Sequence, residues 1–287
     1  MFSLREMCLP ILLLASASPA LAEEVWSLDG FQAPESALFD SERNVLYVSN
    51  VAGEANAKDG VGFISKVSPD GKMQEAEWVK GLNAPKGLVM SGDKLYVSDV
   101  DQLVEIDVTS GKVTNTWNAE GAQFLNDTAA DSAGRVFVSD ILTDSIYVLE
   151  NGNLSVWVQD AALLHPNGLR IDGDRLIVAA WGKDIQPDFS TKEPGRLLAV
   201  DLKTKEISAV GSGEPVGNLD GLEPDGAGNW IVTDWVGGAL YRIHPDGTAD
   251  QLMDLNQGSA DLEFLDNEKL VIIPMMMDGK VTAHRID

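Results

Sequence analysis

Along most of the chain, hydrophobic and polar positions alternate with a period near two, in short runs separated by Asp, Asn and Gly turns. This pattern predicts strands with one face buried, and the turn residues tolerate the positive φ that tight hairpins require. One phrase returns six times: a small turn, an apolar strand, a polar turn, then a strand of the Leu-Tyr-Val-Ser-Asp type. Its copies are residues 33–50, 84–99, 124–140, 165–181, 218–235 and 259–275. A second hairpin follows each of the first five. Those hairpins turn at Pro69-Asp70-Gly71, Ser110-Gly111, Asn151-Gly152, Lys203-Thr204-Lys205 and Pro245-Asp246-Gly247. Beyond residue 22 no stretch carries a helical period with caps.

Residues 23–287, shared among six phrases, give about 44 residues per unit, the size of a four-stranded propeller blade. The sixth phrase reaches Asp287 with only three strands, so Glu23–Gly30 is expected to supply the fourth. The expectation is an all-β chain: one six-bladed β-propeller over residues 23–287, its ring closed by the N-terminal strand pairing with the last blade. A β-sandwich could share the strand spacing but would not explain six matched phrases.

In such a ring the innermost strand of each blade lines the axis. Aligning the phrases puts Glu35, Lys86, Asn126, Asn167, Asp220 and Asp261 in one register, each at the start of an inner strand. All six are polar, whereas Leu38, Leu88, Ala129, Leu169, Leu222 and Phe264 shortly after them are apolar. Carboxylates converging on one axis repel one another unless a cation neutralises them. Oxygen ligands mixing carboxylates with Asn carbonyls suit a hard cation such as Ca2+ or Mg2+. The plainer alternative is that these side chains satisfy strand backbone and bind channel water.

Charge and leader narrow the partners. Lys and Arg number 21 against 45 Asp and Glu, a formal charge of −24, so phosphate backbones and anionic lipid are repelled. No nucleic-acid partner is expected. Residues 1–22 join Arg5 to the apolar run Met7–Ala15 and close on Ala20-Leu21-Ala22, the pattern of an export signal cleaved after Ala22. The run is too short for a membrane span. The single cysteine, Cys8, lies inside this leader, so the exported chain would hold no disulfide, Cys-ligated zinc or thiol nucleophile. A soluble periplasmic or secreted protein is expected. The chain carries no Gly-x-Ser-x-Gly elbow, Walker loop or His-Glu-x-x-His helix. His165, two residues before Asn167, is the histidine placed nearest the axis, either an acid/base or a loop residue without a role.

The motifs Leu125-Asn126-Asp127, Pro166-Asn167-Gly168-Leu169 and Leu219-Asp220-Gly221-Leu222, with Glu35 ahead of them, resemble the SMP-30/gluconolactonase/LRE-like family. That family belongs to the six-bladed propeller superfamily that also holds paraoxonases and strictosidine-synthase-like proteins. The resemblance spans the chain beyond the leader. It implies one divalent cation held by Glu35, Asn126, Asn167 and Asp220, with Ca2+ foremost and Mg2+, Mn2+ or Zn2+ as alternatives. It also implies hydrolysis of a lactone or related ester, with Asp220 as the base. Gluconolactonases usually carry Gly-Pro after the Glu. Here Ser36-Ala37 follow it and Pro34 precedes it, a pattern leaning toward the strictosidine-synthase-like branch. Lys86 stands outside the implied quartet and is expected either to hold a substrate anion or to weaken metal binding.

The mouth of the ring can be placed as well. Segments 52–62 and 182–195 are the two longest loops between second and third strands, and in a ring of six they lie opposite each other, predicting a cleft or partial lid. Trp181 and Trp235 end second strands on that face, where they either stack on a ligand ring or pack between blades. Asn50, Asp99, Asp140 and Asp234 end the same strands and are expected to form turns. Two functions remain: a metal-dependent hydrolase of a small lactone or ester, or a non-catalytic propeller that binds a small molecule or partner protein around a structural cation.

Overall fold

The computed structural model describes residues 22–286, so the expected leader, except Ala22, lies outside the described residues. Six four-stranded antiparallel sheets surround one axis as a six-bladed β-propeller. The inner strands of blades 1 to 5 are Pro34–Asp40, Pro85–Ser91, Leu125–Ala130, Pro166–Asp172 and Leu219–Pro224. Blade 6 contains Glu263–Leu265, Leu270–Met275 and Lys280–Arg285, with Glu23–Asp29 as its outermost strand. That last pairing runs from Glu23 opposite Arg285 to Asp29 opposite Lys280 and closes the ring. Trp26 fixes the closure further, donating from Nε1 to the Pro69 carbonyl at 3.0 Å.

The core consists of apolar wedges between neighbouring blades, because each strand turns alternate side chains to opposite faces of its sheet. Tyr47 and Ile64 of blade 1 meet Leu95 and Val97 of blade 2; Leu222 and Val232 of blade 5 meet Ile177 and Ala199 of blade 4. Each fully buried aliphatic side chain stabilises the ring by roughly 1.5–3 kcal/mol. Among the described residues no helix is long and apolar enough to cross a membrane.

The recurring Ser-Asp ending has a structural cause. The hydroxyls of Ser49, Ser139 and Thr233 accept the backbone N–H of Ser36, Asp127 and Gly221 at 2.9–3.0 Å, holding the starts of their inner strands. Asp99 accepts from the N–H groups of Asn83 and Ala84, Asp140 from Gln123 and Phe124, and Asp234 from Asn218 and Gly237. Asn50 Oδ1 accepts from Gln32 N–H. These four side chains therefore tie down the loops that lead toward the axis.

Candidate metal-binding and catalytic site

A bulge shapes the site. In blade 1 the pairing passes from Pro34–Asn50 to Ala37–Val48, which leaves one extra residue on the inner strand, and blades 2 to 5 repeat this shift. Glu35, Lys86, Asn126, Asn167 and Asp220 are the second residues of their strands and sit within this bulge. Blade 6 shows the same shift between Ser259–Met275 and Glu263–Ile272, which puts Asp261 in the equivalent place. Bulges re-aim side chains, and here the backbones of neighbouring inner strands also draw together. A Cβ added to Gly168 would lie 2.1 Å from the Asp220 carbonyl oxygen, and one on Gly221 would lie 2.5 Å from the Leu262 nitrogen. The glycines of the Asn-Gly-Leu and Asp-Gly-Leu motifs are thus required by close backbone approach.

Glu35, Asn126, Asn167 and Asp220 are all buried, and several of their polar atoms have no partner. Glu35 Oε2, Asp220 Oδ1 and both side-chain polar atoms of Asn167 make no hydrogen bond. Asn167 lies near enough to Asp220 to favour its charged form, yet at a geometry that satisfies neither Asn167 atom. Burial raises the Glu35 pKa well above the carboxylate range, reinforced by Asp220 and Asp261 and partly offset by Lys86. Burial and then Asp261 do the same to Asp220. An unpartnered buried polar group costs roughly 1–3 kcal/mol, so a cluster from three blades indicates a missing partner. Two carboxylates and two carboxamides form an all-oxygen donor set, which fits a hard divalent cation and not a nitrogen- or sulfur-seeking one. Among the described residues no cluster of three or more His, Cys, Asp or Glu is placed to hold a metal, so the two asparagines are indispensable to such a site.

Beyond this tier the inner strands carry a second charged layer where the phrase alignment placed apolar residues. Arg170 of blade 4 pairs with Glu223 of blade 5 at 2.8 Å and lies within electrostatic reach of Glu263, Asp127 and Asp261. Asp127 accepts from the N–H groups of Leu169 and Thr128 at 2.6 Å, and Glu263 from those of Phe39 and Phe264. Asp261 accepts from the Ser36 hydroxyl at 2.5 Å, and burial pushes its pKa up to about 7. Apart from Asp261, the alignment missed this layer because the bulge changes which offset faces the axis. Leu88, Leu169 and Leu222 stand two residues past the ring position, while Leu38, Ala129 and Phe264 stand three past it. The usable signal was Arg170 and Glu223, both charged and both three residues past the ring position.

Above the quartet lies a cavity of about 180 Å³. Glu35, Asn126 and Asp220 form its polar floor, and its walls include Phe124, Ile141, Trp181 and Trp235. Both opposed loops reach it, through Ala55 and Phe189. Ala55 of the blade 1 loop and Ile185 of the blade 4 hairpin (Gly182–Ile185 with Thr191–Pro194) pack against one apolar cluster. Trp181 and Trp235 both pack between blades and line the cavity, with ring centroids 6.0 Å apart. Lys86 reaches the cavity, but its ammonium donates to the Ala55 and Ala84 carbonyls at 2.8 and 3.0 Å and sits 4.4 Å above the Phe124 ring. Burial lowers its pKa to about 8, against the pull of Glu35 and Asp99. His165 does not line the cavity. It lies at a left-handed φ of 60°, with Nδ1 2.7 Å from the Ile141 carbonyl. Asp261 is likewise absent from the cavity lining and belongs to the lower layer.

Comparison with solved structures shows the same fold throughout. A gluconolactonase from Xanthomonas campestris is 14% identical with a TM-score of 0.67, covering 92% of this chain and 87% of that one. A putative gluconolactonase is 19% identical with a TM-score of 0.64, covering 93% of each chain. Virginiamycin B lyase from Staphylococcus aureus, crystallised as an inactive variant with quinupristin, is 12% identical with a TM-score of 0.60, covering 91% of this chain and 99% of that one. No curated protein matches the sequence significantly. Residues 33–260, which include five of the six ring positions, match the model of the SMP-30/Gluconolactonase/LRE-like region, and the chain belongs to that family.

Proposed function

We propose that this protein is a divalent-metal-dependent hydrolase of a lactone or related ester, exported to the periplasm or beyond. The observation that carries this reading is the set of buried, unpartnered oxygen and nitrogen atoms of Glu35, Asn167 and Asp220 beneath an open cavity. Glu35, Asn126, Asn167 and Asp220 would hold the cation, Ca2+ by donor chemistry. When bound, it would polarise the substrate carbonyl. The chain's own residues position the rest. The wall aromatics hold the substrate body and exclude water from all but the floor. Asp220 accepts a proton from a water as the water oxygen adds to the carbonyl carbon. The acyl carbon–oxygen bond then breaks, and the departing alkoxide takes up that proton, giving a hydroxy acid.

The test is metal analysis of the purified protein, combined with a lactone and ester screen with and without chelator. Expected are about one bound divalent ion per chain, turnover abolished by chelation, and loss of both in Asp220→Ala. Unchanged hydrolysis by Asp220→Ala removes that residue from the mechanism. A bound ion without turnover favours the non-catalytic binder. An unsaturated acid in place of a hydroxy acid would indicate elimination, not hydrolysis.

A further inference from the structure

We infer that the substrate has a compact apolar or aromatic body and is not a polyhydroxylated sugar lactone; this rests on the hydrolase reading of the same cavity. Among the described residues, the charged and carboxamide side chains lining the cavity are Glu35, Asn126 and Asp220 of the floor and Lys86, whose ammonium is already bonded to two backbone carbonyls. Trp181 Nε1 is also committed, donating to the Phe189 carbonyl at 2.8 Å. The remaining wall is Phe124, Ile141, Trp181, Phe189, Trp235 and Met276, with Ala55 above. A sugar lactone brings several hydroxyls, and each one buried without a partner costs roughly 1–3 kcal/mol. An apolar body instead gains about 25 cal/mol for each Å² it buries.

The rim continues the same chemistry. Val61, Leu142, Phe189 and Met277 are among the few large hydrophobic residues left exposed, at 50%, 41%, 40% and 64%. All four lie on loops between second and third strands, in blades 1, 3, 4 and 6, on the face that carries the cavity. A mouth with apolar residues on four of six blades favours entry of an apolar molecule. Size agrees: a lined cavity of roughly 150 Å³ takes up benzene, and this one, at about 180 Å³, has room for one ring, with substituents reaching the rim.

The experiment compares glucono-δ-lactone with δ-lactones bearing a phenyl or butyl substituent, using the metal-loaded protein. Turnover is followed by titration of released acid, and binding by fluorescence of Trp181 and Trp235. Expected is a kcat/KM at least about 10-fold higher for the substituted lactones. Phe189→Ser should raise the KM of the substituted lactones several-fold more than that of glucono-δ-lactone. Preferential turnover of glucono-δ-lactone overturns the inference while the hydrolase reading stands. A fluorescence response to the substituted lactones alone, with no turnover of any, supports the apolar site and overturns the hydrolase reading. A response to neither, in protein that hydrolyses neither, overturns both.

Discussion

Two layers of buried charge lie along one axis, and they are satisfied in opposite ways. In the lower layer every carboxylate has a partner within the chain: Glu223 has Arg170, Asp127 and Glu263 have backbone N–H groups, and Asp261 has Ser36. In the upper layer Glu35, Asn167 and Asp220 point atoms at the axis with nothing to receive them. Burial alone therefore does not mark a binding site. What separates the layers is whether the fold itself supplies the complementary group: in the lower layer it does, and in the upper layer Glu35 Oε2, Asp220 Oδ1 and both Asn167 side-chain atoms go without one.

Breaking each layer should have opposite consequences. The largest effect is expected from Glu35→Gln, which removes one of the quartet's two carboxylates. Calcium affinity should fall about 100-fold, while the thermal midpoint in chelator stays level or rises, because a buried acid without a hydrogen-bond partner on Oε2 has gone. Calorimetric titration and a melting curve check both; a large drop in the chelated midpoint would assign Glu35 to the scaffold.

Arg170→Met attacks the other layer. It leaves Glu223 unpaired beside Glu263, and should cost roughly 1–3 kcal/mol in denaturant unfolding, less than a fully buried pair because Arg170 is partly exposed. Calcium affinity should move little. An affinity loss as large as that of Glu35→Gln would mean the layers act as one unit.

A smaller shift is expected from pH. Asp261 holds its proton to about pH 7 in the fold, but releases it near 4 when unfolded. Its stabilising contribution is full below the unfolded value and is lost as pH rises through about 7. Glu35 and Asp220, both raised, act in the same direction. The midpoint of chelated protein should fall by a few degrees from about pH 5 to pH 8, and calcium should restore it, because the cation binds the deprotonated carboxylates. A midpoint that rises over this range in chelator would contradict these shifts.

Much of this was legible in the chain. Period-two alternation and Asp-Gly turns named the strands, and phrase spacing counted the blades, because both are local properties written once per repeat. The shared ring position of Glu35, Lys86, Asn126, Asn167, Asp220 and Asp261 was legible because equivalent strand positions converge in a closed ring, while the choice of Glu35, Asn126, Asn167 and Asp220 among them rested on the family resemblance. Arg170, Glu223, Glu263 and Asp127 were not legible, because a one-residue bulge shifts which side chains face the axis, and nothing within a single strand announces it. Lys86 shows a second limit: its charge was visible, but not the carbonyls of Ala55 and Ala84 that occupy it.

Taken alone, the sequence determined the wheel, its closure by Glu23–Asp29 and the polar residue each blade offers to the hub, since repetition converts local pattern into global symmetry. Only the tertiary structure decided which of those polar atoms find partners and what walls the space above them. Both depend on contacts between blades about 40 or more residues apart in the chain. Such contacts arise from distance and direction in the folded ring, which no local run of residues encodes.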